Sequence, residues 1–199
     1  MAAFGAKYIN FAKIDREEKG KLPTYGSEKI SLGLLVKADL TVNFATGEMY
    51  ADDRLAEKME EFVSGSLAVE VDELEDKDAS IIYGSKINGQ GEKTDNTGDS
   101  APYGGVAYYK SLSKDNKKFY RGYFYPKARA ALGNDNAATK SNSITFATTP
   151  ITFTVYEPEN GDWRYTKRFD TEEEARAWVD AKLSNREPEE KQSGSETAD

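Results

Sequence analysis

The chain has 199 residues and a formal net charge of −8, and it contains neither cysteine nor histidine. The missing cysteines exclude disulfides, thiol nucleophiles and cysteine-ligated zinc, and the missing histidines exclude Ser-His-Asp and Cys-His catalytic centres. The negative charge disfavours binding of free nucleic acid, and no apolar run approaches the ~20 residues that span a bilayer. We therefore expect a soluble protein made in a cytoplasm, not an enzyme, without catalytic residues, metal, cofactor or membrane insertion.

The amino-terminal third predicts strands. Residues 7–14 alternate loosely, residues 15–21 are polar, and residues 22–26 are turn-like. Residues 29–44 then alternate strictly, which predicts a strand with one apolar face. That face carries Val36, Ala38, Leu40, Val42 and Phe44. The pair Thr46-Gly47 is predicted to end this strand, and residues 48–51 are predicted to pair back onto it.

Residues 53–62 allow two interpretations. In a helix, Leu55, Met59 and Phe62 would share one face. In a strand, Leu55 and Met59 would share a face with Glu57 and Glu61, which is poor patterning. Residues 65–71 predict a strand and residues 72–83 a short helix that stops at Gly84. Residues 85–100 form a long polar loop that we expect to be mobile or used at an interface.

The stretch 104–157 predicts the core of an antiparallel β domain. Two aromatic-rich runs, 106–112 and 119–126, flank a polar turn at 113–118, which is the pattern of a hairpin. After a loop at 133–136 come two more strand-like runs, 143–148 and 151–156. Pro150 lies between them and is predicted at a junction or a strand edge.

The carboxy-terminal region predicts a turn at 160–162, a short strand within 162–169 and a helix at 171–183. Thr171 and Glu174 have the spacing of a capping box. The helix should pack through residues at helical spacing, namely Ala175, Trp178, Val179 and Leu183. Trp163 is also expected to be a packing residue. Residues 185–199 lack any apolar pattern and are predicted to be disordered.

The order of these segments resembles the major tail protein, or tail tube protein, family of long-tailed bacteriophages, of the phi13-like type. The resemblance covers roughly residues 5 to 157. It rests on residues 7–15, on Tyr50-Ala51-Asp52-Asp53, on the aromatic hairpin with Tyr125-Pro126-Lys127-Ala128, on a loop with Thr139-Lys140, and on Ser143-Ile144-Thr145-Phe146. It implies that residues 53–62 are extended.

The resulting expectation is a mainly β (α+β) fold, a tail-tube-type antiparallel β-sandwich or barrel with one packed α-helix and a carboxy-terminal helix. Residues 1–165 would form the β domain, 166–184 a helical extension and 185–199 an acidic tail. The resemblance implies a structural virion protein whose protomers form hexameric rings that stack into a tail tube. Partners would be further copies and the tape measure, distal tail and tail terminator proteins, in the virion and, during assembly, in the host cytoplasm. Double-stranded DNA would pass through a net acidic lumen without specific binding.

Charge is segregated along the chain. Residues 57–78 carry a net charge of −7, and residues 110–129 carry +6. Such runs are either two solvated faces or an acidic surface that meets the basic surface of a neighbouring subunit. The candidate subunit-interface residues are Tyr50, Asp52, Asp53, Glu70, Asp72, Lys117, Lys118, Arg121 and Lys127. The loops at 15–26 and 85–100 are candidates for contacts between rings.

Two alternatives come from other classes of protein. A monomeric β-sandwich binding module, for carbohydrate or a host protein, would use the tyrosines of the stretch 103–125 as an exposed contact surface. An enzyme that uses carboxylates alone would need a deep pocket with an acid of raised pKa. The run Tyr123-Phe124-Tyr125 places aromatic side chains on both faces of a strand, which favours burial in a core or an interface over nucleic-acid stacking. The acidic run at 72–76 lacks the glycine of a calcium loop.

Overall fold

The computed structural model describes residues 2–51, 54–115, 117–131 and 148–184. The strands and helices, in chain order, are β1 (Ala2–Arg16), β2 (Thr24–Ser31), β3 (Leu35–Ala51), β4 (Arg54–Val71), α1 (Asp76–Tyr83), β5 (Lys86–Ile87), β6 (Lys93–Thr94), β7 (Tyr103–Lys114), β8 (Lys117–Ala131), β9 (Thr149–Val155), β10 (Tyr165–Phe169) and α2 (Glu172–Leu183). All described strand pairs are antiparallel. The predicted mainly β fold with a packed helix and a carboxy-terminal helix is confirmed. Within the part of the chain that the structure describes, the helices are too short or too polar to span a bilayer.

The main sheet is rolled up. Its strand order is β2-β1-β7-β8-β9-β4-β3, and β10 pairs with β8 outside this path. In a flat sheet β2 and β3 would lie roughly 29 Å apart, because neighbouring strands are about 4.8 Å apart. Only residues 32–34 connect them, and that connection spans at most about 14 Å. The two edges must therefore approach each other, and the ammonium of Lys110 in β7 indeed reaches across to the carbonyl of Ala38 in β3 at 3.2 Å.

The rolled sheet encloses one hydrophobic core and carries a second on its outer face. Inside, Phe11 of β1 stacks on Phe153 of β9 with ring centroids 6.0 Å apart, although β7 and β8 separate these strands in the sheet. Ile82 of α1 is fully buried in this inner core. Outside, α2 lies over the sheet through Trp178 and other buried residues. The packing role predicted for Trp178 is confirmed.

Several predicted elements occur where the sequence places them. The β7–β8 hairpin is tighter than predicted, because Lys114 pairs with Lys117 and leaves only residues 115 and 116 for the turn. The extended conformation expected for residues 53–62 is confirmed from Arg54 onwards. Helix α2 begins one residue after Thr171, whose hydroxyl accepts the backbone N–H of Glu174 at 3.3 Å. The turn at 160–162 is confirmed.

Helix α1 is shorter than predicted, and Asp72 explains why. Its Oδ1 accepts the backbone N–H groups of Leu34 at 2.7 Å and Glu73 at 2.8 Å, which ties this segment to the β2–β3 connection. A Cβ at Gly33 would collide with Asp72 and with the carbonyl of Glu73. The helix therefore begins at Asp76 rather than residue 72, and it ends at Gly84 in the left-handed conformation, as predicted.

Two strand predictions in the amino-terminal half are wrong. Gly47 does not end β3, since it pairs with Met59 and the ladder continues to the pair Ala51–Arg54. Residues 48–51 thus belong to β3 instead of pairing back onto it. Residues 24–26 are not a turn but the start of β2, where Tyr25 donates its hydroxyl to the carbonyl of Pro126 at 2.8 Å.

The continuous strand predicted at 29–44 is also wrong in part. It is interrupted at residues 32–34, where the chain passes from one sheet edge to the other. A register shift between Leu35 and Lys37 then places an extra residue, Val36, in β3. Leu35 and Ala38 consequently point inward, while Val36 is 55% exposed. A β-bulge of this kind breaks the strict alternation that the sequence shows.

Some sequence predictions lie outside the described residues. These are the loop at 133–136, residues 143–147 of the predicted strand 143–148, and the tail at 185–199. The remaining residue of that strand, Thr148, is described and is not in a strand. Pro150 lies near the start of β9, and its partner among the described residues is Glu70 of β4, as expected for a strand end. The strand predicted within 162–169 is β10, and the expected domain boundary after residue 165 falls inside it.

Candidate interaction surface

The β3–β4 hairpin extends far beyond the rest of the sheet. Strand β9 pairs with β4 only from Gly65 to Val71. Residues 43–51 and 54–64, which we call the arm, have no other strand as a described neighbour. Within the described part of the chain, the arm therefore has two free edges, one on β3 and one on β4. Each free edge presents unpaired backbone N–H and C=O groups.

The arm exposes large apolar side chains. Phe44, Met49, Met59 and Val63 are each more than half exposed. Met49 and Met59 lie on the same face, because Met59 pairs with Gly47 and side chains alternate along each strand. At the base of the arm, Phe62 stacks on Trp163 with ring centroids 4.4 Å apart, which confirms the packing role predicted for Trp163. The base is thus anchored while the outer part is exposed to solvent.

The face with the methionines is also acidic. Glu57, Met59 and Glu61 alternate with residues of the opposite face, so all three point to one side. We call these three residues the acidic face of the arm. Neither Glu57 nor Glu61 makes an ion pair or hydrogen bond with any described residue. On the opposite face, Glu60 is paired with Lys58 at 2.7 Å.

Three basic residues lie side by side across strands β7, β8 and β10. Lys110 is directly opposite Arg121, and Arg121 is directly opposite Arg168. We call these three residues the cationic row. The Lys110 ammonium lies over the rings of Tyr108 and Tyr123 and donates to the carbonyl of Ala38 at 3.2 Å.

No member of the cationic row is paired with an acid among the described residues. Arg121 is half-buried and Arg168 is exposed, with its guanidinium 4.1 Å from the ring centroid of Phe119. Like charges directly opposite each other across a sheet destabilise it. The row is therefore a concentrated positive site whose counter-charge does not come from the described chain.

The basic candidates from the sequence are only partly brought together. Lys117, Lys118 and Arg121 lie near the start of β8, at the end that carries the cationic row. Lys127 lies six residues beyond Arg121 along the strand, where its ammonium pairs with Glu17 at 2.9 Å and faces the ring of Tyr103. Lys127 is thus already engaged within the chain, and it forms no common surface with the other three.

The acidic candidates are also divided. Glu70 pairs with Lys37 and Pro150 in the sheet and accepts a hydrogen bond from Thr148 at 3.4 Å. Asp72 holds the β2–β3 connection, as described above. Tyr50 lies in the outer part of the arm, and Asp52 and Asp53 lie outside the described residues. The acidic run 57–78 therefore does not make one surface, because it divides between the arm and the segment around α1.

The outer face of the sheet is closed by α2 through polar contacts as well as apolar ones. Asp180 accepts hydrogen bonds from Tyr8 at 2.9 Å and from Lys29. Glu172 accepts hydrogen bonds from Tyr109 at 2.8 Å and from Lys7 at 3.0 Å. These two hydrogen bonds lower the pKa of the Glu172 carboxyl below its ordinary value. Helix α2 is accordingly fixed at both ends of its length.

The structure gives little support to the two alternative classes. The tyrosines proposed as a contact surface are mostly buried, and of those in the stretch 103–125 Tyr103 is the exposed one. A cavity of about 370 Å³ is lined by Asp95, Asp99 and Arg129, among others. Asp78, whose pKa is raised by burial and by nearby Glu75, does not line it. The described residues contain no group of three or more acids that could hold a metal ion.

Sequence reasoning missed two members of the cationic row as candidate residues, Lys110 and Arg168. Lys110 contributes to the positive charge of 110–129, but Arg168 lies in a different segment. Their alignment depends on the register of β8 with β7 and β10, and no local pattern encodes that register. The exposed methionines could have been recognised from the poor patterning of residues 53–62, which signals a strand without a buried face.

Comparison with known proteins does not assign the chain to a family. No protein-family model matches the sequence, and no curated protein matches it significantly.

Proposed function

We propose that the protein is a structural virion protein that polymerises as stacked hexameric rings into the tail tube of a long-tailed bacteriophage. The observation that carries this proposal is the arm. A two-stranded ribbon with exposed apolar side chains is at best marginally stable alone in water. An arm of this kind is therefore best explained by a partner that covers it in the assembled state.

The free edges of the arm suggest what that partner is. An exposed edge strand is a template for pairing with another chain, and proteins that remain monomeric usually shorten, charge or cover such edges. Here β3 and β4 are 17 and 18 residues long, far above the usual ~5–6 residues. Further copies of the same chain would supply the missing neighbours. A contact between two different surfaces of identical copies repeats from copy to copy and builds a ring or a filament.

The resemblance to tail tube proteins supports the proposal that this polymer is a tail tube. It supports hexameric rings, a lumen through which double-stranded DNA passes, and contacts with the tape measure, distal tail and tail terminator proteins. We propose that the residues facing the lumen are net acidic, because carboxylates repel phosphates and let DNA slide without binding. The site of action would be the virion, after assembly in the host cytoplasm.

The test is electron microscopy of the purified protein over a concentration series, with light scattering alongside. We expect rings or hollow tubes from the wild type. A variant in which Asn-Gly replaces residues 47–59 should fold but not assemble, since the Thr46–Glu60 pair can be closed by a two-residue turn. A cooperative thermal unfolding transition would show that this variant is folded.

A point-substitution pair gives a milder version of the same test. Met49→Ser with Met59→Ser should raise the concentration at which tubes appear. Leu34→Ser is the matched control, because Leu34 is 73% exposed but lies outside the arm. Tubes that form equally well without the arm would contradict its role. A wild-type chain that stays monomeric at every concentration would favour the binding-module alternative.

A further inference from the structure

We infer that the acidic face of the arm of one copy docks on the cationic row of a second copy. The inference rests on the proposed function and names the surface of the neighbouring subunit that receives the arm. The interaction surface comprises Glu57, Met59 and Glu61 on one side and Lys110, Arg121 and Arg168 on the other. It is a contact between two different surfaces, so it can propagate along an assembly.

The described residues supply no anionic partner for the cationic row. Its three charges lie on neighbouring strands, roughly 5 Å apart at their backbones. At that spacing they repel one another, and the described chain offers them no carboxylate. Arg121 and Arg168 carry planar guanidinium groups, which match the geometry of carboxylates better than an ammonium does.

The acidic face of the arm has the matching charge and a matching length. Glu57 and Glu61 are four residues apart on β4, which corresponds to about 14 Å along a strand. The row extends over roughly 10 Å across its three strands, and long side chains cover the difference. Met59 lies between the two glutamates, and methionine adapts its shape readily to a contact surface.

The arm of the same copy does not fill the row. The base of the arm is held by the stack of Phe62 on Trp163, and no ion pair joins arm and row within the described chain. Among the described residues of one copy, Glu57, Glu61 and the three cations thus have no ion-pair partner, although both sets lie on the same molecule. Pairing between two copies satisfies both sets at once.

Cysteine cross-linking tests this docking directly, because the chain has no cysteine of its own. A Glu61→Cys chain is mixed with an Arg168→Cys chain under mild oxidation, and a disulfide-linked dimer of the two is expected. Lys167→Cys is the matched control. Lys167 is exposed and adjacent in β10, but its side chain lies on the other face, opposite Gly122. The control should give at least a fivefold weaker dimer band.

Charge reversal supplies the second test. Arg121→Glu with Arg168→Glu should abolish assembly, and so should Glu57→Arg with Glu61→Arg. A one-to-one mixture of the two variants should assemble again, because each reversed surface then finds its complement on the other variant. Thermal melting of each variant alone checks that both remain folded.

The outcomes separate this inference from the proposed function. Tubes that persist with the reversed row, or cross-linking that is equal at residues 167 and 168, overturn the inference and leave the proposed function standing. A wild type that does not assemble, together with Glu61→Cys and Arg168→Cys chains that do not cross-link, overturns both. A chain that carries both Glu61→Cys and Arg168→Cys gives a further outcome. A disulfide within that single chain would mean that the row binds the arm of its own copy. If the wild type binds duplex DNA and the Arg121→Glu, Arg168→Glu variant does not, the row is a site for phosphate groups. Either of these last two results overturns the docking.

Discussion

The absence of a side chain at Gly122 allows α2 to pack closely on the sheet. Gly122 is in the middle of β8, opposite Tyr109 of β7 and Lys167 of β10. A Cβ at this position would lie 2.5 Å from Cε3 of Trp178, closer than any real carbon contact. The indole ring therefore occupies the space that a side chain would fill. The glycine contributes to packing here, and its conformational freedom is not what the site uses.

We predict that Gly122→Ala destabilises the protein by about 1–3 kcal/mol, because the added methyl group displaces Trp178 from a closely packed site. Chemical denaturation followed by tryptophan fluorescence measures the change. Gly47→Ala is the matched control, since Gly47 also lies in a strand but has no atom within 4 Å of the added carbon. Equal stability of the two variants would contradict this account of the Trp178 site.

Glu172 provides a pH-dependent contact at the residue scale. Its pKa is lowered from 4.5 first by the hydrogen bond from Tyr109 and then by that from Lys7. A lowered folded-state pKa contributes stability above the unfolded-state pKa, and this stability is lost as pH falls through the folded-state value. We predict that Glu172→Gln is less stable than the wild type at pH 7, by less than about 1 kcal/mol because the pair is partly exposed.

The difference between Glu172→Gln and the wild type should shrink as pH is lowered below 4.5. Melting temperatures measured from pH 7 to pH 3 report it. The matched control is Glu173→Gln, which removes the same charge from the first turn of α2 and so accounts for the helix dipole. A stability gap that is independent of pH, or one that is equal for both variants, would refute the role of these hydrogen bonds.

At the scale of elements, β3 and β4 each have two parts in different environments. Near the core, residues 65–71 of β4 pair on both sides, with β3 and with β9. Further out, the described pairs of the arm all lie within the arm itself. Backbone hydrogen bonds that lack apolar cover open easily, while those of core strands open only on global unfolding. One continuous ladder therefore joins a stable segment to a weak one.

We predict that hydrogen exchange distinguishes the two parts. In the unassembled protein, amides of residues 43–49 should exchange at least 100-fold faster than amides of residues 66–70. In the assembled state, the arm should become protected, because a neighbouring copy then covers it. Peptide-resolved exchange with mass spectrometry measures both states. Protection of the arm that is unchanged on assembly would show that the arm is not part of the contact.

The same elements show what the sequence can predict and where it cannot. Helix α2 is predicted to within one residue, because its cap and apolar spacing depend on neighbours three or four residues away. The end of β3 and the start of β2 are mispredicted, because Gly47 and Tyr25 are held by residues distant in sequence, Met59 and Pro126. The cationic row could not be predicted for the same reason, because its alignment depends on the register of β8 with β7 and β10. Charge and exposure can be judged locally, but register cannot.

At the scale of the whole molecule, two electrostatic effects on assembly have opposite signs. Each copy carries a net charge of −8, so copies repel one another at long range. The proposed arm-to-row contact attracts at short range. The Debye length is about 30 Å at 0.01 M salt, about 10 Å at 0.1 M and about 3 Å at 1 M. Added salt therefore screens the repulsion first and the contact only at much higher concentration.

We predict that assembly is most favourable near 0.1 M sodium chloride. The critical concentration for tube formation should fall from 0.01 M to about 0.1 M salt as repulsion is screened, and it should rise again towards 1 M as the contact weakens. Light scattering at fixed protein concentrations gives the critical concentration at each salt level. Met49→Ser is the control variant, since it should raise every value without moving the minimum. A critical concentration that falls steadily up to 1 M would mean that apolar burial, rather than charge pairing, dominates the contact between copies.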